Sequence, residues 1–447
     1  MRSGSISLDL IFKYITKHIK LGSNSCMFRR YLTIGIIFLF ITSGLSIAKN
    51  DNVTSNTNRD DTLYVGGSGP GNYTTIQSAI TASNDGDTVY VYSGVYNETL
   101  TVSKSITLMG EDRNTTIIDG KKQDSVVKIT QDGVIVRGFT LKESRYTGVN
   151  WLYNVITIRN RVNIVITDNI IQIGLQEYNS ATAGIYLEDS SNVIISNNII
   201  INIELVASTA GIAIYGISSY NYILSNEIGN HLWGIKIPYY TSISKSYVNF
   251  TEITNNTIFD NQEGIEFGGG HSTLNGNIIN NNKFRGLVSW YGKDNSITHN
   301  VITENGVGHE FSCGLWIWET SENLIAFNTL SSNVGTGLYF LNADSNQIIE
   351  NHLEENTVFG LLLQSSYNNI FRNNNFVRNE KNAYFEYSFP IIRRLTMPNN
   401  WDGNYWSDQL LKGVIPKVIL GKAVMTIFIQ VPWVQVDWKT LSEPKNV

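Results

Sequence analysis

Two stretches of the sequence share one skeleton, Leu274-Asn275-Gly276-Asn277-Ile278-Ile279 and Ile297-Thr298-His299-Asn300-Val301-Ile302. Each has the pattern apolar-x-x-Asn-x-apolar, which recurs along the chain at intervals of 21 to 30 residues. The shared asparagines are Asn169, Asn198, Asn226, Asn256, Asn277, Asn300, Asn328, Asn351 and Asn373. A period in the twenties predicts a solenoid, in which each repeat buries its apolar face only against its neighbours.

A second short run, Gly-apolar-x-apolar, accompanies the first in most repeats. Examples are Gly184-Ile185-Tyr186-Leu187, Gly264-Ile265-Glu266-Phe267 and Gly314-Leu315-Trp316-Ile317. Both runs alternate with period two, which predicts half-buried strands. The repeats show neither helical spacing nor the several fixed leucines of a leucine-rich repeat. Short strands joined by tight Asn or Gly turns therefore predict a parallel β-helix, an all-β solenoid.

The shared asparagine has a physical role in such a fold. A sharp bend between strands needs a residue near the left-handed backbone region, where Asn and Gly are tolerated best. Stacked coils would bring these side chains within about 4.8 Å of each other, so we expect their amides to form a ladder. The alternative is that asparagine is simply common in polar loops, but nine occurrences in one frame argue against it.

The N-terminal end of the stack carries signals of its own. Residues 75–82 have apolar side chains at i, i+3 and i+4, which predicts a short amphipathic helix. The segments 87–91 and 105–110 that follow have the alternation of strands. A helix over the first coil would protect the open edge of the stack, so we predict a short N-terminal capping helix.

The first 48 residues have the features of an export signal. Met27-Phe28-Arg29-Arg30 precedes an apolar run within 31–47, which ends in Ser46-Ile47-Ala48. This order predicts a secretory signal, with Met27 as an alternative start. The alternative is an uncleaved membrane anchor, although the run is short for a full span. Both interpretations predict an exported protein, extracellular or on the cell surface, and a retained segment would add membrane or cell-envelope association.

Charge and composition narrow the partners and the domain organisation. Residues 1–48 hold six of the 33 basic and one of the 38 acidic side chains, so the rest carries 27 against 37, a net charge of −10. This balance argues against nucleic acid as a partner. Cys313 is then a lone cysteine, so no disulfide framework is predicted. We predict a linker over 49–61, the β-helix over 62–400 and an aromatic C-terminal cap over 401–447.

Three motifs give the chain a resemblance to a known family. They are the repeat Ile-x-x-Asn-x-Ile, the run Gly-Asp-Thr-Val-Tyr-Val at 86–91 and the run Gly-Asn-Tyr-Trp-Ser-Asp at 403–408. Over about residues 62–410 the chain resembles the right-handed parallel β-helix proteins related to NosD, the periplasmic copper-binding protein of nitrous oxide reductase maturation. The broader group is the carbohydrate-binding and sugar-hydrolase β-helix domain, which includes many exported archaeal proteins. The resemblance implies one single-stranded, right-handed, pectin-lyase-like solenoid of about eleven coils.

Residues that point outward from the Gly-apolar-x-apolar strands would form columns across the stacked coils. The first column holds Tyr186, Ala213, Lys236, Glu266, Val288, Trp316, Tyr339 and Leu362. The second, two residues further on, holds Glu188, Tyr215, Pro238, Gly268, Trp290, Trp318, Leu341 and Gln364. Exposed aromatic rings beside carboxylates suit sugar rings, so we predict that six aromatic residues bind a polysaccharide or other glycan. They are Tyr186, Tyr215, Trp290, Trp316, Trp318 and Tyr339.

The alternative for these rings is that they pack beneath the loops that precede the strands, among them 260–263, 283–285 and 303–313. Sugar binding predicts instead that Trp316, Trp318 and Tyr339 form one exposed platform. On that hypothesis Trp316→Ala weakens glycan binding and leaves thermal stability nearly unchanged, because an outward side chain fills no cavity.

Catalysis is a separate hypothesis. A glycoside hydrolase needs two carboxylates, whereas a polysaccharide lyase needs a base and a group that neutralises a uronate. The candidates for such roles are Lys236, Glu266, His309 and Glu310, with Arg285 and Glu319 as further charges. No tight acidic cluster marks a site, so an enzyme of either class stays an alternative to binding alone.

Copper binding of the NosD type is a weaker alternative. The solenoid's histidines fall on separate coils and methionine is nearly absent from it, so no metal or cofactor is predicted. A structural or adhesive surface protein is the remaining alternative, in which the asparagine-rich solenoid would serve only as a spacer.

Overall fold

A computed structural model of the protein describes residues 61–446 apart from eight short segments. These are 122–124, 143–153, 175–181, 204–208, 240–246, 308–310, 389–397 and 427–428. Residues 1–60 lie outside the described residues, and with them the predicted signal and nearly all of the predicted linker. Among the residues that are described, no helix is long and apolar enough to cross a membrane.

Three parallel sheets follow the described chain, and the chain visits them in the order 1, 2, 3 in successive coils. Sheet 1 consists of Thr62–Val65, Thr88–Val91, Thr107–Gly110, Ile135–Arg137, Val162–Thr167, Ser191–Ser196, Tyr222–Leu224, Glu252–Thr254, Thr273–Asn275, Ser296–Thr298, Leu324–Ala326, Gln347–Ile349, Ile370–Arg372 and Asn400–Asp402. Sheet 2 consists of Gly94–Tyr96, Thr116–Asp119, Thr140–Lys142, Ile170–Ile173, Ile199–Asn202, Glu227–Gly229, Thr257–Phe259, Ile278–Asn280, Val301–Thr303, Thr329–Ser331, His352–Glu354, Asn375–Val377 and Tyr405–Trp406. Sheet 3 consists of Leu100–Val102, Val127–Ile129, Ile156–Arg159, Thr182–Glu188, Thr209–Tyr215, Trp233–Ile237, Glu263–Phe267, Arg285–Trp290, Cys313–Trp318, Thr336–Leu341, Phe359–Gln364, Lys381–Ser388, Lys417–Thr426 and Ile429–Asp437. A short side pair joins Ile217–Ser219 to Tyr247–Asn249.

The resulting fold is an all-β parallel solenoid of about eleven turns, which confirms the predicted fold class. Its core is a set of apolar columns in which one residue per coil stacks on its equivalent in the next. In sheet 3, for example, Ile235, Ile265, Leu287 and Leu315 are aligned in register and fully buried. The period-two alternation of the sequence is therefore the alternation between this core and the outer surface.

The glycine of the Gly-apolar-x-apolar run is required by close packing between coils. A Cβ on Gly264 would lie 2.3 Å from the carbonyl oxygen of Gly286, and one on Gly286 would lie 2.7 Å from that of Gly314. Any larger residue would thus push neighbouring coils apart. The motif marks the start of sheet 3 strands from Thr182–Glu188 to Phe359–Gln364.

The predicted helix spans Ile76–Ala82 and covers the first coils, as the sequence indicates. Thr75 is its N-cap, and its side chain accepts a hydrogen bond from the Ser78 N–H. Glu98 accepts two more, from the N–H groups of Ile76 at 2.9 Å and Gln77 at 3.0 Å. A carboxylate at a helix N-terminus satisfies free donors there and complements the helix dipole.

The asparagine ladder forms at the corner between sheets 1 and 2. Each side-chain Nδ2 donates to the Oδ1 of the next asparagine at 2.9–3.1 Å. The ladder consists of Asn169, Asn198, Asn226, Asn256, Asn277, Asn300, Asn328, Asn351, Asn374 and Asn404. The sequence assignment was wrong at Asn373, because the buried ladder member is its neighbour Asn374.

The backbone role proposed for these asparagines also needs correction. The left-handed residue at this corner is the one before each ladder member, as in Asp168, Phe327 and Asn373, which have φ of 57°, 58° and 58°. One residue therefore adopts the left-handed backbone conformation of the turn, and the next residue forms the ladder hydrogen bonds. Since the turn residue points to solvent, its identity varies from coil to coil, whereas the ladder position is asparagine throughout.

Two more asparagine ladders lie at the other corners within the described part of the chain. The corner between sheets 2 and 3 carries Asn261, Asn282, Asn305, Asn333, Asn356 and Asn379. The corner between sheets 3 and 1 carries Asn323, Asn346, Asn369 and Asn399, and the backbone N–H of Asn295 donates to the Asn323 Oδ1. Continuous amide chains at each bend satisfy backbone groups that have no strand partner there.

A carboxylate closes the first ladder at the C-terminal end. The fully buried Asp437 accepts hydrogen bonds from the Asn404 Nδ2 at 2.9 Å and the Trp406 Nε1 at 3.1 Å. Asp437 ends an antiparallel hairpin, Lys417–Thr426 with Ile429–Asp437, that extends sheet 3. The strands Asn400–Asp402 and Tyr405–Trp406 still pair in parallel with the stack, so regular coils continue past residue 400.

Candidate functional site

The outer face of sheet 3 carries the two columns predicted from the sequence. The register pairs Lys236 with Glu266, Glu266 with Val288 and Val288 with Trp316. In the second column Trp290 pairs with Trp318. A third outward column, at the residue before each glycine of the run, holds Ala183, Ala210, Trp233, Glu263, Arg285, Cys313, Thr336 and Phe359. The site is built where these three columns meet.

Four charged side chains lie together on three consecutive coils, and we call Lys236, Glu263, Glu266 and Arg285 the charged quartet. The Arg285 Nη2 lies 3.1 Å from the Glu263 Oε1, and the Lys236 Nζ lies 3.7 Å from the Glu266 Oε2. All four are mostly enclosed, with side-chain exposures between 13% and 25%. Each carboxylate on the middle coil is thus matched by a cation on a neighbouring coil.

Tryptophans surround the quartet and leave a cavity of about 300 Å³. It is lined by Trp233, Glu263, Glu266, Arg285, Val288, Trp290, Trp316 and Trp318. Trp233, Trp290 and Trp318 are half-buried, so part of each ring is open to a ligand. The volume lies at the lower end of the range for small-molecule sites, about 300–1,000 Å³.

The cations also rest on aromatic faces. The Lys236 Nζ lies 3.1 Å from the centroid of the Trp233 ring, and the Arg285 Cζ lies 4.7 Å from that of Trp316. Cation–π contacts of this kind hold the charged groups in place and strengthen as the site loses water.

Burial sets the protonation properties of the quartet. It raises the pKa of the Glu263 carboxyl to about 7, even though the charge of Arg285 acts in the opposite direction. Burial likewise raises the pKa of Glu266, against the charge of Lys236. It lowers the pKa of the Lys236 ammonium, against the charge of Glu266. Two carboxyl groups with raised pKa values in one cavity are typical of functional sites.

Residues around the cavity also carry polar atoms without a hydrogen-bond partner among the described residues. They are the Glu263 Oε2, the Arg285 Nε, the Trp290 Nε1 and the Trp316 Nε1. Buried polar atoms are nearly always satisfied in folded proteins, so a group of four beside one cavity is unusual. All four are enclosed by protein, so a polar ligand or water reaches them only after a small side-chain shift.

The predicted exposure of the aromatic platform is wrong. Trp316 is 7% exposed and Tyr339 is 3% exposed, because Trp316 stacks between Trp318 at 5.0 Å and Tyr339 at 5.3 Å. The three rings do adjoin as expected, but they form an outward-facing apolar cluster with Val288 and Cys313. The expectation that Trp316→Ala spares stability loses its premise, since this ring fills space.

Two of the predicted tyrosines, Tyr186 and Tyr215, lie on the side of the charged quartet opposite Trp316. Tyr186 is 4% exposed and stacks on Tyr215 at 5.7 Å, with Arg159 over its ring. Burial raises the pKa of Tyr186 to about 12, and burial and the charge of Glu266 raise the pKa of Tyr215. These rings form a second outward cluster rather than an open strip, and their assignment to glycan binding stays a prediction.

The structure brings together some of the predicted catalytic candidates. Lys236 and Glu266 meet in the quartet, whereas His309 and Glu310 lie outside the described residues. Sequence reasoning placed Glu263 and Arg285 in variable loops and missed their position at the first residue of a strand. Period two would have directed Glu263 inward, because it lies three residues before the outward Glu266, so the alternation offered no signal for this position.

Other reactive groups do not extend the site. Burial raises the pKa of the Cys313 thiol, so the thiol stays protonated and weakly nucleophilic. Across the described residues no group of three or more His, Cys, Asp or Glu side chains is arranged to hold a metal ion.

Comparison with known families agrees with this architecture. Residues 241–389 match the family described as the right handed beta helix region. The match covers the coils that carry the charged quartet except for Lys236, which lies just before it. The match and the sheet topology agree on the fold, a right-handed parallel β-helix. The finer resemblance to NosD-related proteins stays a prediction.

Two solved structures share the fold. One is a mannuronic acid specific polysaccharide family 6 lyase from human gut microbiota, with a TM-score of 0.50 and 14% identity over 73% of this chain and 82% of that one. The other is PfbA, a surface adhesin of Streptococcus pneumoniae, with a TM-score of 0.51 and 14% identity over 68% of this chain and 86% of that one. Identities this low establish the fold alone. No curated protein matches the chain.

Proposed function

We propose that the protein binds carbohydrate in the cavity on the outer face of sheet 3. The observation that supports this proposal is the set of half-buried Trp233, Trp290 and Trp318 around the charged quartet. Tryptophan faces accept the C–H surface of a sugar ring, while charged side chains bind its hydroxyl groups. The two solved relatives, a polysaccharide lyase and a surface adhesin, are consistent with a carbohydrate-related or surface role.

A binding experiment tests this function directly. Trp290→Ala and Trp318→Ala should each weaken binding of the best ligand on a glycan array by about tenfold, the scale of an aromatic contact at a recognition site. Trp433→Ala is the matched control, because this 45% exposed ring lies five strands along sheet 3 from the strand of Trp318. Unchanged affinity in both cavity variants would show that the glycan does not bind in this cavity.

Export is part of the same proposal. The apolar run within 31–47 and the basic residues before it support delivery outside the cytoplasm, extracellular or on the cell surface. Sequencing the N-terminus of the secreted or membrane fraction tests it. A mature N-terminus near residue 49 supports a cleaved signal, retention of residues 31–47 supports an anchor, and a purely cytoplasmic location contradicts both.

Glycoside hydrolysis is a second candidate, favoured by the two carboxyl groups with raised pKa values. Protonated Glu263 would donate its proton to the glycosidic oxygen as the C–O bond breaks, and ionised Glu266 would take a proton from the attacking water. The water then adds across the bond, leaving two sugars.

The enzyme hypothesis is tested by turnover of a bound oligosaccharide. Glu263→Gln and Glu266→Gln should each lower the rate by about 100-fold or more while the ligand still binds, since general acid–base catalysis contributes that much. If the unmodified protein binds the oligosaccharide but releases no product, the enzyme hypothesis is wrong and carbohydrate binding alone remains.

A further inference from the structure

The charged quartet is electrically balanced. Two cations face two carboxylates, in the pairs Arg285–Glu263 and Lys236–Glu266. Glu263, Glu266 and Arg285 are the charged side chains among the described residues that line the cavity, and Lys236 lies behind Glu266 at 3.7 Å. A fully charged ligand entering here must therefore break an ion pair or leave one charge uncompensated, and enclosure makes both outcomes costly.

The hydrogen-bonding pattern of the quartet also favours an uncharged ligand. Glu263 Oε2 is an acceptor and Arg285 Nε is a donor, and both lack a partner among the described residues. They belong to the same ion pair, so a ligand that meets one also approaches the other. Both atoms are enclosed by protein, so a small side-chain shift must first open them to the cavity; a sugar hydroxyl can then donate to the carboxylate and accept from the guanidinium at once. A carboxylate can only accept, and it would bring a second negative charge toward Glu263 and Glu266.

The tryptophan donors fit the same ligand. Trp290 Nε1 and Trp316 Nε1 can each donate one hydrogen bond to an oxygen and cannot neutralise a full charge. The remaining lining is aromatic or aliphatic, with Val288 at the centre of the column between Glu266 and Trp316. Low polarity around the quartet keeps charge repulsion poorly screened by salt.

We propose that this cavity takes a neutral pyranoside and discriminates against hexuronates. The inference rests on the proposed carbohydrate function and names the ligand class of that site. The deciding group is the substituent at C6 of the sugar, a neutral hydroxymethyl in one case and a carboxylate in the other.

Matched ligand pairs test the inference with the whole secreted chain. Affinities are measured at pH 8, where Glu263 is ionised, for hexasaccharides of glucose and glucuronate, mannose and mannuronate, and galactose and galacturonate. Within the pair that binds best, the neutral member should bind at least about tenfold tighter, the effect of one uncompensated buried charge.

Variants locate the discrimination in the quartet. Glu263→Gln gives the site an excess positive charge, so the ratio of neutral to uronate affinity should fall by about tenfold. Glu266→Gln should do the same and replaces it if Glu263→Gln fails to fold. Glu380→Gln removes an exposed negative charge away from the cavity and should leave the ratio unchanged.

The outcomes are distinguishable. Equal or tighter binding of the uronate by the unmodified protein overturns the inference and leaves carbohydrate binding standing. A ratio that shifts equally in Glu380→Gln assigns the effect to overall charge and also overturns it. Binding of no member of any pair overturns the proposed function itself, and the inference with it.

Discussion

Two polar regions of the molecule are both buried, and they are built in opposite ways. In the ladder between sheets 1 and 2, one asparagine per coil repeats, and each Nδ2 donates to the next Oδ1 at 2.9–3.1 Å. In the charged quartet the residues occur once, and Glu263 and Arg285 keep atoms without a described partner. The ladder is complete within the protein, whereas the quartet is incomplete.

The contrast separates scaffold from site in a repeat protein. Every coil needs a bend, so a group that solves the bend repeats and satisfies itself. A ligand needs one place along the rod, so the groups that recognise it break the repeat. Polar burial that repeats indicates structure, and polar burial that occurs once, with unfilled hydrogen-bonding capacity, indicates function.

The largest expected effect is in the ladder. Asn300 donates to Leu274 O and Asn328 Oδ1, both at 2.9 Å, and accepts from the Asn277 backbone N–H at 3.0 Å and its Nδ2 at 2.9 Å. Asn300→Ala leaves these partners without a hydrogen bond in a buried corner and should lower the free energy of unfolding by about 4 kcal/mol. Denaturant titration measures the loss.

The neighbouring turn residue is the control for that change. His299 has φ of 57° and is the left-handed residue of the same corner, where asparagine is tolerated well. His299→Asn should stay within about 0.5 kcal/mol of the unmodified protein, the usual range for surface substitutions. Equal losses in the two variants would show that the bend, not the ladder, carries the stability.

The second effect tests the boundary between scaffold and site. Trp316 is 7% exposed and stacked on two rings, so Trp316→Ala should lower the free energy of unfolding by about 3 kcal/mol, as for other buried tryptophans. Trp318 is half-buried beside the cavity, and Trp318→Ala should cost about half as much while losing glycan affinity. Thermal unfolding and binding are measured on both. If Trp316→Ala is as stable as the unmodified protein, the ring does not fill space and the hypothesis of an exposed platform is favoured again.

Much of the fold follows from short-range patterns in the sequence. Asn277 and Gly264 carry the signal because each meets its own equivalent in the next coil, so the same residue is required repeatedly. Asn373 was misassigned although the sequence separates the two neighbours, because Phe371 and Phe376 occupy the apolar positions of the skeleton only when Asn374 is its asparagine. Two of the outward columns were also predictable from period two, but the column that holds Glu263 was not, because it lies three residues before the column of Glu266.

The site was predictable only in part, and for a physical reason. Lys236 and Glu266 lie on the predicted column, but the pairing of Glu263 with Arg285 depends on register between coils separated by loops of unequal length. Exposure was the other failure. An outward direction does not imply contact with solvent, because rings as large as Trp316 and Tyr339 cover one another.

The third prediction places a titratable group inside a ladder. His231 is buried at the corner of sheets 2 and 3, where its backbone N–H donates to Asn261 Oδ1 at 2.9 Å as that of a ladder asparagine would. Burial lowers its pKa to about 4. The unfolded chain then binds more protons, so stability falls as pH drops from about 6.5 toward 4.

His231→Asn should remove this sensitivity and extend the ladder by one member. Between pH 7 and 5 the unmodified protein should lose about 2 kcal/mol more than the variant. Urea titrations at the two pH values give the difference. Parallel losses in the two proteins would mean that the pKa of His231 is the same in the folded and unfolded chains, so that burial does not lower it.

The smallest expected effect concerns the quartet and has the opposite sign. Burial raises the pKa of Glu263 to about 7, so the folded protein binds more protons than the unfolded chain above pH 4.5, and stability falls as pH rises. Between pH 6 and 8 the unmodified protein should lose about 1 kcal/mol relative to Glu263→Gln, which cannot titrate. Glu380→Gln, an exposed change, should follow the unmodified protein throughout. The ladder asparagines carry no proton to lose, so a pH-dependent difference here marks the quartet as the region held in an unfavourable charge state. Identical profiles for Glu263→Gln and the unmodified protein would instead show that Arg285 compensates the carboxylate fully, and the quartet would then be as self-sufficient as the ladder.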